Sequence, residues 1–304
     1  MKRLLTICYI ILLLAYTLPP IYRFLQSRQK PPDDFISVRT ADGDIKMSME
    51  DYIFGVTAAE MPAYFESDAL KAQAVAARSY AEYCVGTGKH GGAVCTSSGC
   101  CQAFADESAL RLRWGRDYRK YADKLRKAVQ ETKGERLSYN GEAVQAVFHS
   151  CSYLRTENSG DVWGSVPYLV SVTSPETADS VSNLVSTVTV SPEELKRVIS
   201  SAHSDADFSA QTENWVGKNE KNAAGRTSAV TVGGVRLSGR EMRSLFLLRS
   251  ADFDVVYDGE NFVFTVYGFG HGVGMSQYGA NLMAKAGCDY RSILSHYYPG
   301  TKIQ

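Results

Sequence analysis

One glutamate in an apolar setting is the first residue of the sequence that could carry out acid–base chemistry. Glu60 lies in Ala58-Ala-Glu-Met-Pro62, at the end of a largely apolar segment that a proline interrupts. Such neighbours solvate a carboxylate poorly, and desolvation raises the pKa of a carboxyl group because it disfavours the charged form. A carboxyl group that stays protonated near neutral pH can act as a general acid. Taken alone, the segment fits a surface or salt-bridged glutamate better.

Two cations follow on one face of a predicted helix. Lys71 and Arg78 are seven residues apart in Leu70-Lys-Ala-Gln-Ala-Val-Ala-Ala-Arg78, so they share a face with small residues between them. An alanine-rich face packs closely and could form the wall of a cleft, where two cations suit an anionic or carbonyl-rich substrate. Contact of either cation with Glu60 would lower its pKa. At least one of them is therefore expected to bind substrate, and the alternative is a solvated charged face.

A glycine-rich segment near the C-terminus presents several hydrogen-bonding side chains. Five glycines fall within the twelve residues 268–279, which also contain His271, Ser276, Gln277 and Tyr278. Glycine is used where φ is positive or where another group approaches the backbone closely. We expect a loop shaped around a ligand, and the alternative is a tight turn after a strand.

A fourth group has the composition of a metal site. His90, Cys95, Cys100 and Cys101 lie within twelve residues, and three cysteines with one histidine are a common tetrahedral zinc set. With all four positions filled by protein, such a zinc ion is structural. The alternative is a disulfide between Cys95 and Cys100 or Cys101, which an extracytoplasmic location permits.

Charge and the N-terminal segment limit the class of protein. The 33 basic and 33 acidic residues give a net charge of zero, which argues against nucleic acid as the main partner. Residues 1–26 contain an apolar run of bilayer-spanning length and are predicted to be a transmembrane signal anchor. A cleaved signal peptide is the alternative. Residues 27–34 are predicted to be a linker, and 35–304 a single catalytic domain outside the cytoplasm.

Helices and hairpins mix along that domain. Helices are predicted from Ser48 to about Met61, after Ser67 and over 116–131, and a strand-like pattern over 135–173. Hairpin turns are predicted at Asp42-Gly43, Asn140-Gly141 and Asp258-Gly259. Because no βαβ alternation is present, the fold class is α+β, with helices and hairpins forming a substrate cleft after one N-terminal transmembrane helix.

Several blocks of the chain, taken together, resemble one family, the stage II sporulation protein D and amidase-enhancer family. The resemblance runs from about Ile36 to the C-terminus. It is carried by Ala58-Ala-Glu-Met-Pro62, Leu70-Lys-Ala-Gln-Ala-Val-Ala-Ala-Arg78, Phe148-His-Ser150, Glu157-Asn-Ser-Gly-Asp-Val-Trp163 and Gly268-Phe-Gly-His-Gly-Val-Gly-Met-Ser-Gln-Tyr-Gly-Ala280.

This resemblance implies a membrane-anchored lytic transglycosylase of peptidoglycan. The implied substrate is a glycan strand without stem peptides, cut between MurNAc and GlcNAc during forespore engulfment. The resemblance places the catalytic glutamate at Glu60 and the required basic residues at Lys71 and Arg78. It also implies zinc in the cysteine loop. The implied partners are a cell-wall amidase and a membrane scaffold, and the implied location is the mother-cell membrane facing the septal wall.

One glutamate can suffice for such a reaction. Protonated Glu60 would donate to the glycosidic oxygen, and its carboxylate would then deprotonate the MurNAc C6 hydroxyl that attacks C1, leaving a 1,6-anhydro sugar. Ordinary glycosidases use two carboxylates. Asp161 is either the second one or a turn residue before Val162. His149 and Ser150 are expected to face the same cleft.

The loop side chains His271, Ser276, Gln277 and Tyr278 are expected to bind the glycan or orient Glu60. His149 and His271 fit a buried structural role equally well. After Ser150 the family usually has small residues, whereas 151–156 here are bulkier and could reshape the cleft. The rival functions are a non-catalytic glycan-binding enhancer of a partner amidase and, with little support, a zinc hydrolase.

Overall fold

Two hydrophobic cores organise the residues that this computed structural model describes, 35–40 and 43–304. The first core combines residues between Ile36 and Leu169 with residues between Val273 and Tyr298. The second core lies wholly between Val190 and Val266. The chain therefore builds most of a helical lobe, makes a separate sheet lobe, and returns to complete the first.

The elements follow in chain order. The helical lobe begins with β1 (Phe35–Thr40), β2 (Gly43–Ser48), α1 (Met49–Glu60), α2 (Ser67–Gly86), β3 (Val94–Cys95), α3 (Glu107–Trp114), α4 (Tyr118–Glu131), β4 (Leu137–Tyr139), β5 (Glu142–Ala143) and β6 (Phe148–His149). The sheet lobe contains β7 (Val185–Val190), α5 (Pro192–Ala202), β8 (Val216–Lys221), β9 (Thr227–Val232), β10 (Val235–Leu237), α6 (Gly239–Leu245), β11 (Phe253–Tyr257) and β12 (Phe262–Tyr267). The chain then adds β13 (Met275–Ser276), α7 (Gln277–Lys285), α8 (Tyr290–Tyr297) and β14 (Lys302–Ile303) to the helical lobe.

Helix α2 is the centre of the helical lobe and packs against α1, α4, α7 and α8. Its alanines, such as Ala72 and Ala76, are fully buried, and their small side chains let four helices approach closely. Arg78 is buried among them. Its Nη2 lies 2.6 Å from Glu50 Oε2 on α1, and its Nη1 donates to the carbonyl oxygen of Glu135 over 2.8 Å. The ion pair joins α1 to α2, and the hydrogen bond joins α2 to the segment that follows α4.

Two three-stranded antiparallel sheets form the sheet lobe, in the orders β10-β9-β8 and β11-β12-β7. Strand β12 alternates buried and half-buried residues, as expected for a strand with one face on a core. Phe262 and Phe264 point from it into the core, where α5 and α6 contribute Ile199 and Met242.

Most local predictions are confirmed, and the fold class is α+β. Strands β1 and β2 pair from Phe35 to Ser48, and α1 ends at Glu60, before Pro62. The strand-like pattern over 135–173 is largely wrong, because only β4, β5, β6 and isolated bridges form there. In this region, side-chain oxygens accept hydrogen bonds that backbone carbonyl groups would accept in a β-sheet. Val172 N donates to Thr156 Oγ1, and Ser171 N donates to Asn158 Oδ1.

The predicted membrane anchor lies outside the described residues, as do 27–34, so both predictions remain predictions. Within the described ranges, no helix has the length and apolar character needed to cross a bilayer.

The substitution Arg78→Met tests the buried ion pair. It leaves Glu50 without its partner, and removing one member of a buried pair is strongly destabilising. Because the Glu50 side chain is 23% exposed, water can solvate part of its charge. We expect a loss of about 2–3 kcal/mol in the free energy of unfolding, measured by urea denaturation.

A matched control is Arg111→Met, which removes an exposed arginine from its pair with Glu107 on α3. Exposed pairs of this kind contribute about 0.5 kcal/mol. Equal urea midpoints for the two variants would show that the buried pair does not stabilise the fold.

Candidate active site

Glu60 is held at the end of α1 by neutral partners. Its Oε1 accepts a hydrogen bond from Ala103 N over 2.7 Å, and the Gln277 side chain is a second hydrogen-bonding partner. No ion pair to Glu60 is present within the described ranges. Burial raises the pKa of Glu60 and outweighs both hydrogen bonds, which lower it. The raised pKa agrees with the desolvation that the apolar neighbours of Glu60 predict.

Gln277 is brought to Glu60 by the glycine-rich segment. Strand β13 pairs in parallel with β6, which sets Ser276 opposite His149. The Oγ of Ser276 accepts from Gly279 N over 3.2 Å and so caps α7. Gln277 is therefore the first residue of α7, is nearly fully buried, and donates to Gln73 Oε1 on α2 over 3.4 Å.

The structure does not bring either predicted cation to Glu60. Lys71 Nζ lies 2.7 Å from Glu131 Oε2 and 5.8 Å from the centroid of the Tyr290 ring. The Arg78 side chain is only 1% exposed and is paired with Glu50. This placement contradicts the expectation that Arg78 faces a cleft. Because both charges are neutralised elsewhere, neither lowers the pKa of Glu60.

The glycines of the segment serve internal packing, which corrects the expectation of a loop shaped around a ligand. Gly274 has a φ of +72°, and a Cβ there would lie 2.1 Å from the carbonyl oxygen of Val147. Gly272 has a φ of +83°, and a Cβ there would lie 2.3 Å from Arg226 Cζ. Any side chain at either position would displace protein atoms, so glycine is required without reference to a substrate.

His149 and His271 fit the buried structural alternative. His149 Nε2 lies 2.6 Å from Ser152 Oγ, and its Nδ1 lies 3.2 Å from the carbonyl oxygen of Val273. The two rings are 5.7 Å apart. Burial lowers the pKa of His149 and brings the pKa of His271 to about 4, so both are neutral at physiological pH.

Of the remaining predicted site residues, Ser150 and Tyr278 contact each other, whereas Asp161 lies in a separate pocket. The backbone N–H of Tyr278 donates to the carbonyl oxygen of Ser150 over 3.0 Å, and the Tyr278 ring packs edge-on against Phe65. Asp161 lies in a turn at Ser159–Asp161, accepts from Asn158 Nδ2, and lines a separate pocket with His271. Asp161 thus does not share the immediate surroundings of Glu60.

Sequence reasoning missed several polar residues around the site. Glu176 is fully buried, accepts from Ser152 N over 3.0 Å, and also accepts from the hydroxyl of Ser276. Gln73 and Ala103 were also missed. No motif contains Glu176 or Ala103, and Gln73 lies in the Leu70–Arg78 block but meets its partner across a long stretch of sequence.

The four predicted metal ligands do come together. One donor atom each from His90, Cys95, Cys100 and Cys101 lies within 4.8 Å of the others, and the three cysteines are free thiols. His90 Nε2 and Cys100 Sγ are 3.2 Å apart. His90 has a φ of +51°, which a non-glycine residue rarely adopts without a constraint. The donor set fits a tetrahedral zinc ion.

The metal-donor cluster lies next along the chain to the backbone group that donates to Glu60. Cys101 ends it, and two residues later Ala103 donates its backbone N–H to Glu60. Between them, the buried Gln102 donates to the carbonyl oxygen of Ala77 over 3.3 Å. Order in the cysteine loop therefore positions the hydrogen bond to the acid.

Comparison with known proteins places this architecture in a family. The model of the family described as Stage II sporulation protein matches residues 44–139. Stage II sporulation protein D of Bacillus subtilis (strain 168) is 35% identical over 299 residues, which is 95% of this chain and 84% of the relative. The protein of the same name from Bacillus amyloliquefaciens is 35% identical over 271 residues, covering 87% and 77%.

A more distant relative carries a different name. The amidase enhancer of Bacillus subtilis (strain 168) is 29% identical over 301 residues, covering 82% of this chain and 40% of the relative. The 35% identity to stage II sporulation protein D of Bacillus subtilis, over 95% of this chain, shows that the protein belongs to the stage II sporulation protein D family.

The substitution Glu60→Gln is expected to stabilise the protein at neutral pH and to have little effect in acid. The pKa of Glu60 in the folded protein exceeds the ordinary 4.5, so the folded state binds more protons than the unfolded state. Glu60 therefore contributes fully to the free energy of unfolding below pH 4.5. This contribution is lost as the pH rises through the raised pKa of the folded protein. Glutamine keeps the hydrogen bond from Ala103 and carries no charge.

Urea denaturation of both proteins between about pH 4 and pH 8 measures this difference. The matched control is Glu66→Gln, which removes a carboxylate that is exposed on the surface. A constant difference between Glu60→Gln and wild type across the range would contradict the raised pKa.

Proposed function

We propose that this protein cleaves peptidoglycan glycan strands as a lytic transglycosylase, with Glu60 as both acid and base. The observation that carries the proposal is the carboxyl group of Glu60, which is desolvated, has a raised pKa and is held by neutral donors. Such a group is protonated at a higher pH than an ordinary glutamate and can donate its proton to a leaving oxygen.

The proposed reaction consumes no water, because a hydroxyl group of the substrate itself attacks C1. Glu60 protonates the oxygen between MurNAc C1 and GlcNAc as that bond breaks. The Glu60 carboxylate then takes the proton of the MurNAc C6 hydroxyl while O6 bonds to C1. The products are a 1,6-anhydro-MurNAc end and a free GlcNAc end, and Glu60 regains its proton. The intramolecular hydroxyl replaces the second carboxylate that ordinary glycosidases need.

A second candidate function is supported by the similarity to the amidase enhancer. In that case the protein binds glycan without cutting it and increases the activity of a partner cell-wall amidase. A desolvated acid without an ion pair is not needed for binding alone, and this favours the enzyme.

Cellular setting and partners follow from the same proposal. Residues 1–26 would anchor the chain in the cell membrane, since they hold an apolar run of sufficient length. Residues 35–304 would then face the septal wall from the mother cell. There they would work on glycan strands beside an amidase and a membrane scaffold during engulfment.

Glycan cleavage tests the proposal directly. Full-length protein in detergent is incubated with strands freed of stem peptides, and the products are identified by mass spectrometry. We expect 1,6-anhydro-MurNAc ends from wild type and from Glu66→Gln. With Glu60→Gln we expect at least a ~10²-fold lower rate, because the acid–base group is lost.

Other products would redirect the assignment. Reducing MurNAc ends would mean hydrolysis, and Asp161→Asn would then test the second carboxylate. Strand binding without cleavage by wild type would contradict the enzyme and support the enhancer.

We also propose that His90, Cys95, Cys100 and Cys101 hold one structural zinc ion. Elemental analysis should find about one zinc per chain, consistent with a closed four-ligand site. The substitution Cys101→Ser should lower the metal content and reduce Tm by at least ~5 °C, because metal binding stabilises the fold.

Cys288→Ser is the matched control, since Cys288 lies outside the cluster, and it should keep its zinc. A metal-free wild-type protein whose mass is two hydrogens short would instead indicate the disulfide.

A further inference from the structure

Two buried glutamine side chains lie in series behind Glu60. Gln277, at the start of α7, is a hydrogen-bonding partner of Glu60, and its Nε2 also donates to Oε1 of Gln73 on α2 over 3.4 Å. Gln277 is 5% exposed and Gln73 is fully buried, so Gln73 offers no surface to a substrate. The mechanism proposed for Glu60 assigns no role to Gln73.

The amide nitrogen of Gln73 is unpaired. Among the described residues, no hydrogen-bond acceptor meets its Nε2, although this atom is buried. An unpaired buried donor costs free energy, because it has given up its hydrogen bonds to water. The hydrogen bond that Gln73 accepts from Gln277 is also longer than a typical amide hydrogen bond. A second arrangement of the pair, in which Gln73 Nε2 donates, would recover that cost.

A glutamine side chain can present either a donor or an acceptor to the same neighbour. Its nitrogen carries two hydrogens, its oxygen carries two lone pairs, and a half-turn of the terminal torsion exchanges the two ends. That torsion is broad and roughly two-fold, so both orientations fill nearly the same space. After a half-turn, the oxygen of Gln277 faces both Glu60 and Gln73. If Gln73 turns as well, its unpaired Nε2 gains an acceptor.

These two orientations suit the two protonation states of Glu60. In the first, Gln277 Nε2 donates one hydrogen to the carboxylate and the other to Gln73 Oε1, and this hydrogen bond lowers the pKa of Glu60. A protonated Glu60 is itself a donor and needs an acceptor. The second orientation supplies one, because Gln277 Oε1 then accepts from Glu60 and from Gln73 Nε2.

We propose that Gln73 and Gln277 are positioning residues whose amides turn together when Glu60 gains or loses its proton. This inference rests on the proposed function, in which one carboxyl group serves first as acid and then as base. A fixed donor favours the carboxylate alone, whereas the turning pair forms a hydrogen bond with either state. Neither amide exchanges a proton with Glu60, and only the orientations of the amides change.

Charged and titratable groups on the neighbouring elements have partners of their own. They are Lys71 and Arg78 on α2, Arg113 on α3, Lys124 on α4 and Tyr278 on α7. The pKa of Glu60 is raised by burial and lowered by the hydrogen bonds from Ala103 and Gln277. A titration of Glu60 is therefore sensitive to the orientation of Gln277.

NMR of the side-chain amides tests the proposal without substrate. Full-length protein in detergent is labelled with ¹⁵N-glutamine, and the signals of Gln73 and Gln277 are assigned from Gln73→Met and Gln277→Met. We expect both signals to shift with pH in one titration. Its midpoint should equal that of the ¹³C-labelled carboxyl group of Glu60 and lie above pH 4.5.

Two variants and an internal control separate a turning pair from a general effect of pH. In Glu60→Gln, neither amide signal should shift. In Gln277→Met, the Gln73 signal should stay constant, because Gln73 reaches Glu60 only through Gln277. The buried Gln102, which donates to the carbonyl oxygen of Ala77, should keep a constant signal in every protein.

Turnover gives a second test. In Gln73→Met we expect kcat to fall ~10-fold with KM unchanged, because the acid is misplaced while the substrate loses no contact. Gln130→Met is the matched control, since Gln130 is exposed on α4 and should keep both kinetic constants.

Several results would overturn the inference. They are a Gln73 signal that does not change with pH, a Gln73 signal that still titrates in Gln277→Met or in Glu60→Gln, and an unchanged kcat in Gln73→Met. The NMR measurements contain no substrate, so they decide the inference even if the protein cleaves no glycan. Absence of cleavage by wild type would contradict the proposed function instead.

Discussion

The backbone hydrogen bond from Ala103 to Glu60 depends on how the loop after α2 is held. That loop buries Val94, Cys101 and Ala105 in the core of the helical lobe, and polar contacts order the segment between them. Lys89 Nζ donates to the carbonyl oxygen of Cys100, and the donors of the cysteine cluster converge beside it. A glycine within α1 completes the arrangement, because a Cβ on Gly55 would lie 2.3 Å from Phe104 Cε2. The acid is thus positioned by a loop whose own contacts hold Ala103 in place.

The electrostatics of the helical lobe explain how two cations and an acid with a raised pKa coexist there. Lys71 and Arg78 lie on the helix that packs against α1, yet each is matched by an acid on another element. Their charges are neutralised by these acids, and neither cation lowers the pKa of Glu60. A requirement of activity for either residue is therefore compatible with a structural role. An unmatched cation in their place would lower the pKa of Glu60 and weaken it as an acid.

Features that depend on neighbouring residues could be predicted from the sequence. Ser48 caps α1 by accepting from Asp51 N over 3.1 Å, and Pro62 follows the end of that helix. The four metal donors were also predictable, since they fall within twelve residues and their types are specific. Desolvation of Glu60 followed from its apolar neighbours.

Contacts between distant segments could not be predicted in this way. The partner of Arg78 is 28 positions away, and the partner of the Ala103 N–H is 43 positions away. The separate core of the sheet lobe was missed. The turn at Asp258-Gly259 predicts the pairing of β11 with β12, but no local signal shows that β12 also pairs with the distant β7. The glycine-rich segment was interpreted as a ligand loop, since composition shows that glycine is required but not which atoms approach it.

Gly272 makes one such contact between distant segments, and this contact joins the two lobes. It belongs to the helical lobe, and the absence of a side chain there makes room for the guanidinium group of Arg226 from the sheet lobe. Arg226 in turn reaches Ser152, which contacts His149. Because His149 lies opposite Ser276 across β6 and β13, the segment that presents Gln277 to Glu60 is packed against the inter-lobe contact.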